Sequence, residues 1–260
     1  GGGLGEPNEG DSGRFVTRNR RNFFRIAPSF GYDLSQRYRL QLDGHYLQAD
    51  FDNQVPGAQR DFSEFGAGAA FGILTSQRST LYVRAVGFQY ETTEKTDAYG
   101  GELEWDTQYS ENSRAYIRLG AQQTSPEDGP SDTNMIAGAG GQWSTERNDW
   151  FLDVTRSVGP VSAGTVVERY QLRLRLNHDV TPRFAVRAGA RLSRDQETQE
   201  GTFPTRKYAT GELGFEWRWM RQWSVVGTYN YRWQEYADEP TNRNANSFLF
   251  GIVYEPKRAQ

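Results

Sequence analysis

Apolar and polar residues alternate along most of the chain with a period of two. In the segment 37–47 (RYRLQLDGHYL), Leu40 and Leu42 fall on one side while Gln41 and Asp43 fall on the other. A period of two is that of a β-strand whose two faces meet different surroundings, and the helical period of 3.6 is almost absent. The pattern therefore predicts an all-β protein.

The alternation predicts thirteen strands, joined by linkers that are alternately short and long. Nine of the ten prolines fall at or outside the predicted strand ends. The exception is Pro28, which has no N–H to donate to a ladder and so predicts a bulge or a weakly paired first strand. The predicted strands lie near 21–33, 37–51, 62–74, 79–92, 97–109, 113–124, 132–144, 149–158, 165–178, 183–195, 206–219, 222–236 and 245–254.

The length of these strands and the places of the aromatic residues indicate a membrane barrel. Strands of about 10–13 residues exceed the usual five or six of soluble sheets and are long enough to cross a bilayer when tilted. Aromatic residues gather at both ends of the apolar faces, as two interfacial girdles do. The residues predicted at the membrane interfaces are Tyr38, Tyr109, Trp143, Trp150, Trp219, Trp223 and Trp233.

The opposite faces are rich in Arg, Glu, Gln, Asp, Asn and Gly. Such faces are too polar for the core of a soluble sandwich or propeller, the alternative all-β reading, because buried unpaired charges each cost several kcal/mol. In a barrel that is apolar outside and polar inside, ring closure satisfies the backbone groups that lipid cannot. The sequence thus predicts a transmembrane antiparallel up-and-down β-barrel of 12–14 strands, with short periplasmic turns and longer extracellular loops.

This organisation divides the chain into a polar segment at 1–20, a barrel at 21–254 and a tail at 255–260. Thirteen strands conflict with the even number usual in bacterial single-chain barrels. Residues 13–19 (GRFVTRN) are the candidate for a fourteenth strand. The alternatives are twelve strands, with one assignment false, or a further strand upstream.

Composition narrows the function classes. The chain has no cysteine and two histidines, which excludes a disulfide scaffold and cysteine-based metal centres, and we predict neither a metal nor a cofactor. A net charge of -3 with a pI near 5.6 disfavours nucleic acid as a partner. There is no apolar run of 18 residues and no basic, apolar leader at the start.

The C-terminal two thirds resemble the outer-membrane β-barrel porins that accompany exopolysaccharide export and exosortase-type gene systems in Gram-negative bacteria. A weaker similarity links them to the barrel domains of surface lipoprotein assembly modifiers and of polysaccharide-secretion proteins. The resemblance implies a barrel that serves polysaccharide export, and no catalytic motif is carried over. It rests on ERYQLRLRLNHDVTPRFAVRAGARLSRD, RKYATGELGFEWRWMRQWSVVGTYNYRWQEY and NSFLFGIVYEP.

The polar faces supply the candidate solute-contacting residues. Acids cluster at 102–106 and 212–216, and arginines cluster between them at 169–191. Opposed acidic and basic walls would orient a charged solute, and arginine binds carboxylates or sulfates in bidentate fashion. The alternative interpretation is structural: Arg187 and Arg191 pair with Glu212 and Glu216 across the ladder and support the barrel wall. The candidates are Asp43, His45, Glu102, Glu104, Asp106, Arg118, Arg169, Arg173, Arg175, Arg187, Arg191, Glu212, Glu216, Arg218 and Arg232.

A catalytic function has one candidate pair. His45 is predicted to point inward beside Asp43, but no serine motif accompanies the two residues. A barrel hydrolase is therefore an alternative and not the predicted function. The Gly-rich stretch at 66–74 is not a phosphate loop and is expected to allow curvature or leave lumen space.

The function predicted from the sequence is an outer-membrane channel or secretion accessory that passes a polar solute through a narrow, charged lumen. The expected partners are outer-membrane lipid and lipopolysaccharide, with an exported polysaccharide or a periplasmic export component as the finer expectation. The alternative is a closed barrel that scaffolds a periplasmic or surface partner.

Overall fold

A computed structural model describes residues 21–52, 61–91, 95–127, 129–160, 166–197, 205–237 and 242–255. Every regular element in these ranges is a β-strand, and no helix there is long and apolar enough to cross a membrane. The strands are β1 (Arg21–Ile26), β2 (Ser29–Asp33), β3 (Tyr38–Phe51), β4 (Phe62–Ser76), β5 (Ser79–Glu91), β6 (Lys95–Ser110), β7 (Ser113–Pro126), β8 (Asp132–Ser144), β9 (Asn148–Pro160), β10 (Val166–Thr181), β11 (Phe184–Glu197), β12 (Arg206–Met220), β13 (Trp223–Tyr236) and β14 (Arg243–Tyr254).

The strands form one antiparallel sheet in chain order, from β3 to β14, each paired with the next. At the start of the sheet, β1 and β2 both pair with β3, on its two halves, so they are one strand interrupted near Pro28. The carbonyl of Pro28 still accepts from the N–H of Gly44 at 3.0 Å, whereas its ring nitrogen has no proton to donate. The thirteen predicted strands and the irregularity at Pro28 are therefore confirmed.

Connections alternate between two to four residues at one end of the sheet and three to ten at the other. We call these the turn end and the loop end. In transmembrane barrels short turns are periplasmic and long loops extracellular, which sets the orientation. The candidate strand at 13–19 and the tail beyond Glu255 lie outside the described residues. Within the described part, the free edges of the interrupted first strand and of β14 do not pair with each other.

Residues directly opposite across each ladder share a face, so the register assigns every side chain to one of two faces. The outer face is apolar and exposed: Val83 is 49% exposed, Leu213 60% and Phe250 60%. Charged residues on this face stand near the loop end, at the border of the apolar belt; they include Asp50, Glu91, Lys95, Asp97, Arg156, Glu168, Arg194, Lys207 and Glu235. Such a belt matches a lipid-facing surface bounded by water.

The inner face is polar, and its burial changes along the strands. Near the loop end the inner side chains are packed, with Tyr90 and Val167 each 1% exposed and Thr124 3%. Near the turn end the side chains of Arg187 and Arg218 are 58% and 65% exposed. The space enclosed by the sheet is therefore tight toward the loops and open toward the turns.

Candidate lumen site

The structure places all fifteen candidate residues on the inner face, each opposite another inner residue in the register. The seven predicted interfacial aromatic residues lie on the outer face. Six of these are at the turn end, and Trp233 is near the loop end. Their rings pack on outer neighbours, as in the stacked Tyr38–Phe71 pair with centroids 5.7 Å apart.

The acidic row of β6 is largely compensated by arginines of the adjacent strands. Arg84 Nε lies 3.5 Å from Glu102 Oε1, and Arg114 Nε donates to Asp106 Oδ2 at 3.1 Å. Arg118 stands directly opposite Glu104. Because these arginines come from β5 and β7, the acidic wall is weaker than the sequence of β6 alone suggests.

A second network crosses three ladders around Asp153 of β9, which is 2% exposed. Arg173 donates to Asp153 Oδ1 from Nε at 2.9 Å, and the Tyr116 hydroxyl donates to Asp153 Oδ2 from β7. Tyr116 reaches β9 because β8 carries Gly140 between them; a β-carbon there would lie 2.9 Å from the Tyr116 ring and 2.6 Å from the carbonyl oxygen of Leu152. Sequence reasoning missed Tyr116 and Asp153, although both follow the inner-face alternation.

A third site is the bidentate pair of Arg169 and Asp195 near the loop end. Nε and Nη2 of Arg169 donate to the two carboxylate oxygens at 2.7 and 2.9 Å, and the side chains are 9% and 3% exposed. Asp195 was not among the candidates. A buried guanidinium with its partner in this geometry is locked in place.

The remaining arginines of β10–β12 have looser partners. Arg187 Nη2 and Arg218 Nε both donate to Glu216, at 3.1 and 3.3 Å. Of the predicted pairings across the ladder, that of Arg187 with Glu216 is therefore confirmed, whereas Glu212 makes no ion pair with a described residue. The Arg175 guanidinium lies 5.7 Å from the centroid of the Phe151 ring. The side-chain amide of Gln171 is assigned so that its oxygen faces the Arg191 guanidinium, and this oxygen accepts a hydrogen bond from Arg191 Nη2 at 2.8 Å.

The inner-face charge is unequal on the two sides of the sheet. Among the described residues, strands β3–β8 carry four arginines and six carboxylates, whereas β9–β13 carry eight arginines and six carboxylates. The predicted succession of acidic, basic and acidic walls is therefore reduced to a modest acidic excess on β3–β8 and a modest basic excess on β9–β13, a side that also contains the acids at 212–216. The excess is smaller than the clusters at 102–106 and 169–191 imply, because neighbouring strands supply counter-charges.

The two sides meet at a cavity of about 180 Å³ toward the loop end. It is lined by Glu64 and Phe88 from β4 and β5, and by Val167 and Arg169 among the residues of β9 and β10. Opposite parts of the sheet therefore face each other across a narrow space.

His45 lies beside this cavity, with an acidic partner that the sequence did not suggest. Its Nε2 is 2.7 Å from Glu64 Oε1, whereas the prediction placed Asp43 at its side. Two inner side chains of β3 lie over glycines of β4. The His45 ring occupies the space that a β-carbon on Gly66 would need, and Asp43 Oδ2 lies 2.7 Å from the place of a β-carbon on Gly68. No hydroxyl is within hydrogen-bond distance of His45 in the described residues, nor do these contain a group of three potential metal ligands.

Comparisons with known proteins bear on the fold. Neither a family model nor a curated protein matches the chain. Among solved structures, the copper transporter OprC is 13% identical with a TM-score of 0.59, over 90% of this chain and 52% of that one. The FrpB iron transporter from Neisseria meningitidis (F3-3 variant) is 10% identical with a TM-score of 0.56, and the match covers 83% of this chain and 44% of that one. The ferric citrate transporter FecA is 11% identical with a TM-score of 0.52, and the match covers 92% of this chain and 48% of that one.

The chain thus spans about half the length of these transporters. At such low identity the likeness establishes the architecture, which is that of the antiparallel up-and-down barrels of the outer membrane. Together with the apolar outer belt, this confirms the predicted fold class and the predicted location in the bacterial outer membrane.

Proposed function

We propose that the chain forms the wall of an outer-membrane channel for polar solutes. The observation that carries this proposal is the inner face: it is lined with ionic and amide side chains from β3 to β13, while the outer face is apolar. Such a lining replaces part of the hydration shell of a polar solute and repels an apolar one. The acidic excess on β3–β8 and the basic excess on β9–β13 would orient a solute that carries charge.

The finer proposal is that this solute is a saccharide polymer on its way out of the cell, as the resemblance of the C-terminal segments implies. The open turn end supports this direction, since a polymer from the periplasm would meet the wide end of the lumen first. We also propose that the chain is not an enzyme. His45 bonds to a carboxylate and not to a hydroxyl, so a nucleophile activated by this histidine is lacking in the described part.

The packed loop end favours a second candidate, a closed barrel that scaffolds a partner. Tyr90, Val167 and Thr124 are almost fully buried there, and the cavity beside them is small. A channel of this shape conducts only if the loop end leaves a continuous path or opens one. The channel and the closed barrel have the same fold, and they differ in whether ions pass through the lumen.

Conductance in planar bilayers separates the two candidates. The purified protein is refolded in detergent, its folding is checked by heat-modifiable migration on a denaturing gel, and its insertion is checked by flotation with liposomes. A channel gives discrete current steps in KCl, and its reversal potential in a salt gradient reports the ion preference of the lumen. Silence over many insertions of a protein that floats and is folded would exclude the channel and favour the closed barrel.

A further inference from the structure

A row of polar and charged residues crosses the outer face of β9–β13 near the loop end. Arg156, Tyr170, Arg194, Lys207 and Glu235 are successive direct partners in the ladders, so they stand side by side without an offset along the strands. Directly opposite residues have β-carbons about 5 Å apart. The two basic residues in the middle of the row, Arg194 and Lys207, are therefore immediate neighbours, and we call them the cation pair.

Carboxylates compensate the charge of the cation pair only in part. Lys207 Nζ donates to Glu235 Oε1 at 3.1 Å, but the two side chains are 50% and 31% exposed, so this ion pair is weak and exchangeable. Arg194 is exposed and makes no ion pair with a described residue; its Nη2 donates to the amide oxygen of Gln196 at 3.3 Å. Like charges that face each other across a ladder are unfavourable. An anion that contacts both side chains would relieve this repulsion.

The other outer-face cations of the described strands have different surroundings. Arg156 donates from Nε to Glu168, and its guanidinium lies 5.5 Å from the centroid of the Tyr170 ring. Lys95 stands directly opposite Glu91, with no cation beside it in the described ladders. Each of these cations has a carboxylate next to it and no like charge opposite it. Two cations directly opposite each other therefore occur once on the outer face of the described strands.

The cation pair stands at the border of the apolar belt. The next outer residues toward the turn end are Leu192 and Ala209, and the two after those are Ala190 and Gly211. Leu192 is 49% exposed, as a lipid-facing side chain is. The Arg194 side chain reaches the other way, since its acceptor on residue 196 is nearer the loops. A long basic side chain at the edge of a membrane places its charge at the level of the headgroups in this manner.

This position indicates which anion the cation pair can bind. Because the loop end is the extracellular end of a transmembrane barrel, the pair faces the outer leaflet of the outer membrane. That leaflet consists largely of lipopolysaccharide, whose lipid A part carries phosphates just above its acyl chains. A phosphate fits a guanidinium in bidentate fashion and an ammonium group as a point charge. The cation pair offers one of each.

We propose that the cation pair binds a phosphate of lipopolysaccharide in the outer leaflet, with the acyl chains of that lipid along the apolar belt. Lipopolysaccharide is a predicted partner of the chain, and this inference assigns it a site and a chemistry. It goes beyond the proposed channel and does not require it, because the cation pair lies on the outer face and the lumen is lined by the inner one. A closed barrel would bind the lipid in the same way.

The test uses the full chain refolded in a neutral detergent, so that no lipid is carried over from a membrane. Native mass spectrometry follows the binding of lipid A and of the same glycolipid without its phosphates. Lipid A is expected to bind at least about tenfold more tightly than the phosphate-free form. Arg194→Gln and Lys207→Gln each weaken lipid A binding by about fivefold or more, the effect of one basic residue beside an anionic lipid, and leave binding of the phosphate-free form unchanged.

The matched control is Lys95→Gln, which removes the same charge as Lys207→Gln from the outer face near the loop end, away from the cation pair. This variant is expected to bind lipid A within about twofold of the unchanged protein. Glu235→Gln is expected to bind lipid A more tightly, because a competing carboxylate is lost. Arg194→Lys keeps the charge and must bind more tightly than Arg194→Gln. Heat-modifiable migration shows that each variant is folded.

Equal affinity for the two glycolipids, or equal losses in Lys95→Gln and Lys207→Gln, would overturn the proposal. Inorganic phosphate in large excess is expected to leave most of the lipid A bound; its ready displacement of lipid A would show a site for free anions and contradict a lipid as the occupant. Phosphatidylglycerol that binds as tightly as lipid A would contradict lipopolysaccharide. A protein that is silent in bilayers and prefers lipid A keeps this site and loses the channel, whereas a conducting protein without the preference does the reverse.

Discussion

Two valines of β5 offer a direct test of which face meets lipid. Val83 lies on the outer face, 49% exposed, opposite Phe71 and Leu103. Val86 lies three residues further, on the inner face, opposite two glycines and near Asp43. Both are close to the middle of the strand, so the same substitution meets hydrocarbon at one position and a polar lumen at the other.

Replacement of Val83 by arginine places a guanidinium in the apolar belt near mid-depth. There an arginine on the lipid face costs about 2–4 kcal/mol of the free energy of unfolding, roughly a 30- to 700-fold change in the folding equilibrium constant. Val86→Arg places the same group in the polar lumen, where the carboxylate of Asp43 lies over the neighbouring Gly68. Its expected cost is less than about 1 kcal/mol.

The assay is reversible unfolding in urea from lipid vesicles, followed by tryptophan fluorescence. The chain has seven tryptophans, and the outer-face ones report on the lipid contact. Both variants are compared with the unchanged protein under identical lipid composition and pH. Equal destabilisation by the two substitutions, or a greater loss in Val86→Arg, would refute the assignment of the faces and with it the proposed lumen.

Two further predictions concern stability, measured in the same assay. Asp195→Asn leaves the buried Arg169 without its carboxylate and lowers the free energy of unfolding by about 3–5 kcal/mol. The control Glu235→Gln, which breaks an exposed pair with Lys207, lowers it by less than about 1 kcal/mol. Similar losses in the two variants would contradict the assignment of Arg169 and Asp195 as a buried pair. Gly140→Ala forces a contact of 2.6 Å with a backbone oxygen and destabilises, while Gly211→Ala has nothing within 4 Å and is neutral.

The strands and their faces could be predicted because they depend on local sequence. A period of two is visible within ten residues, and one error in phase would move every side chain of a strand to the wrong face. Pro28 likewise signals its effect locally, since a residue without an N–H interrupts a ladder wherever it stands. The strand ends were less well placed: β10 extends to Thr181, three residues beyond its predicted end.

The ionic partners could not be predicted, because they depend on the register between strands. Glu102 and its acidic neighbours look like a wall when β6 is considered alone, and only the pairing with β5 and β7 brings Arg84 and Arg114 beside them. Tyr116 and Asp153 are separated by a whole strand, and their contact also requires a glycine on that strand. A single sequence without the register contains no signal for such a contact.

Glycine placement also influences how wide the lumen is. His45 and Asp43 lie flat over Gly66 and Gly68 of β4, and Tyr116 lies over Gly140 of β8. A long polar side chain that folds onto a neighbouring glycine keeps to the wall, whereas the same side chain beside a larger residue must project into the lumen. The glycines of the inner face therefore allow a densely charged lining without filling the space that it encloses, and their substitution is expected to narrow the passage even where the sheet itself survives.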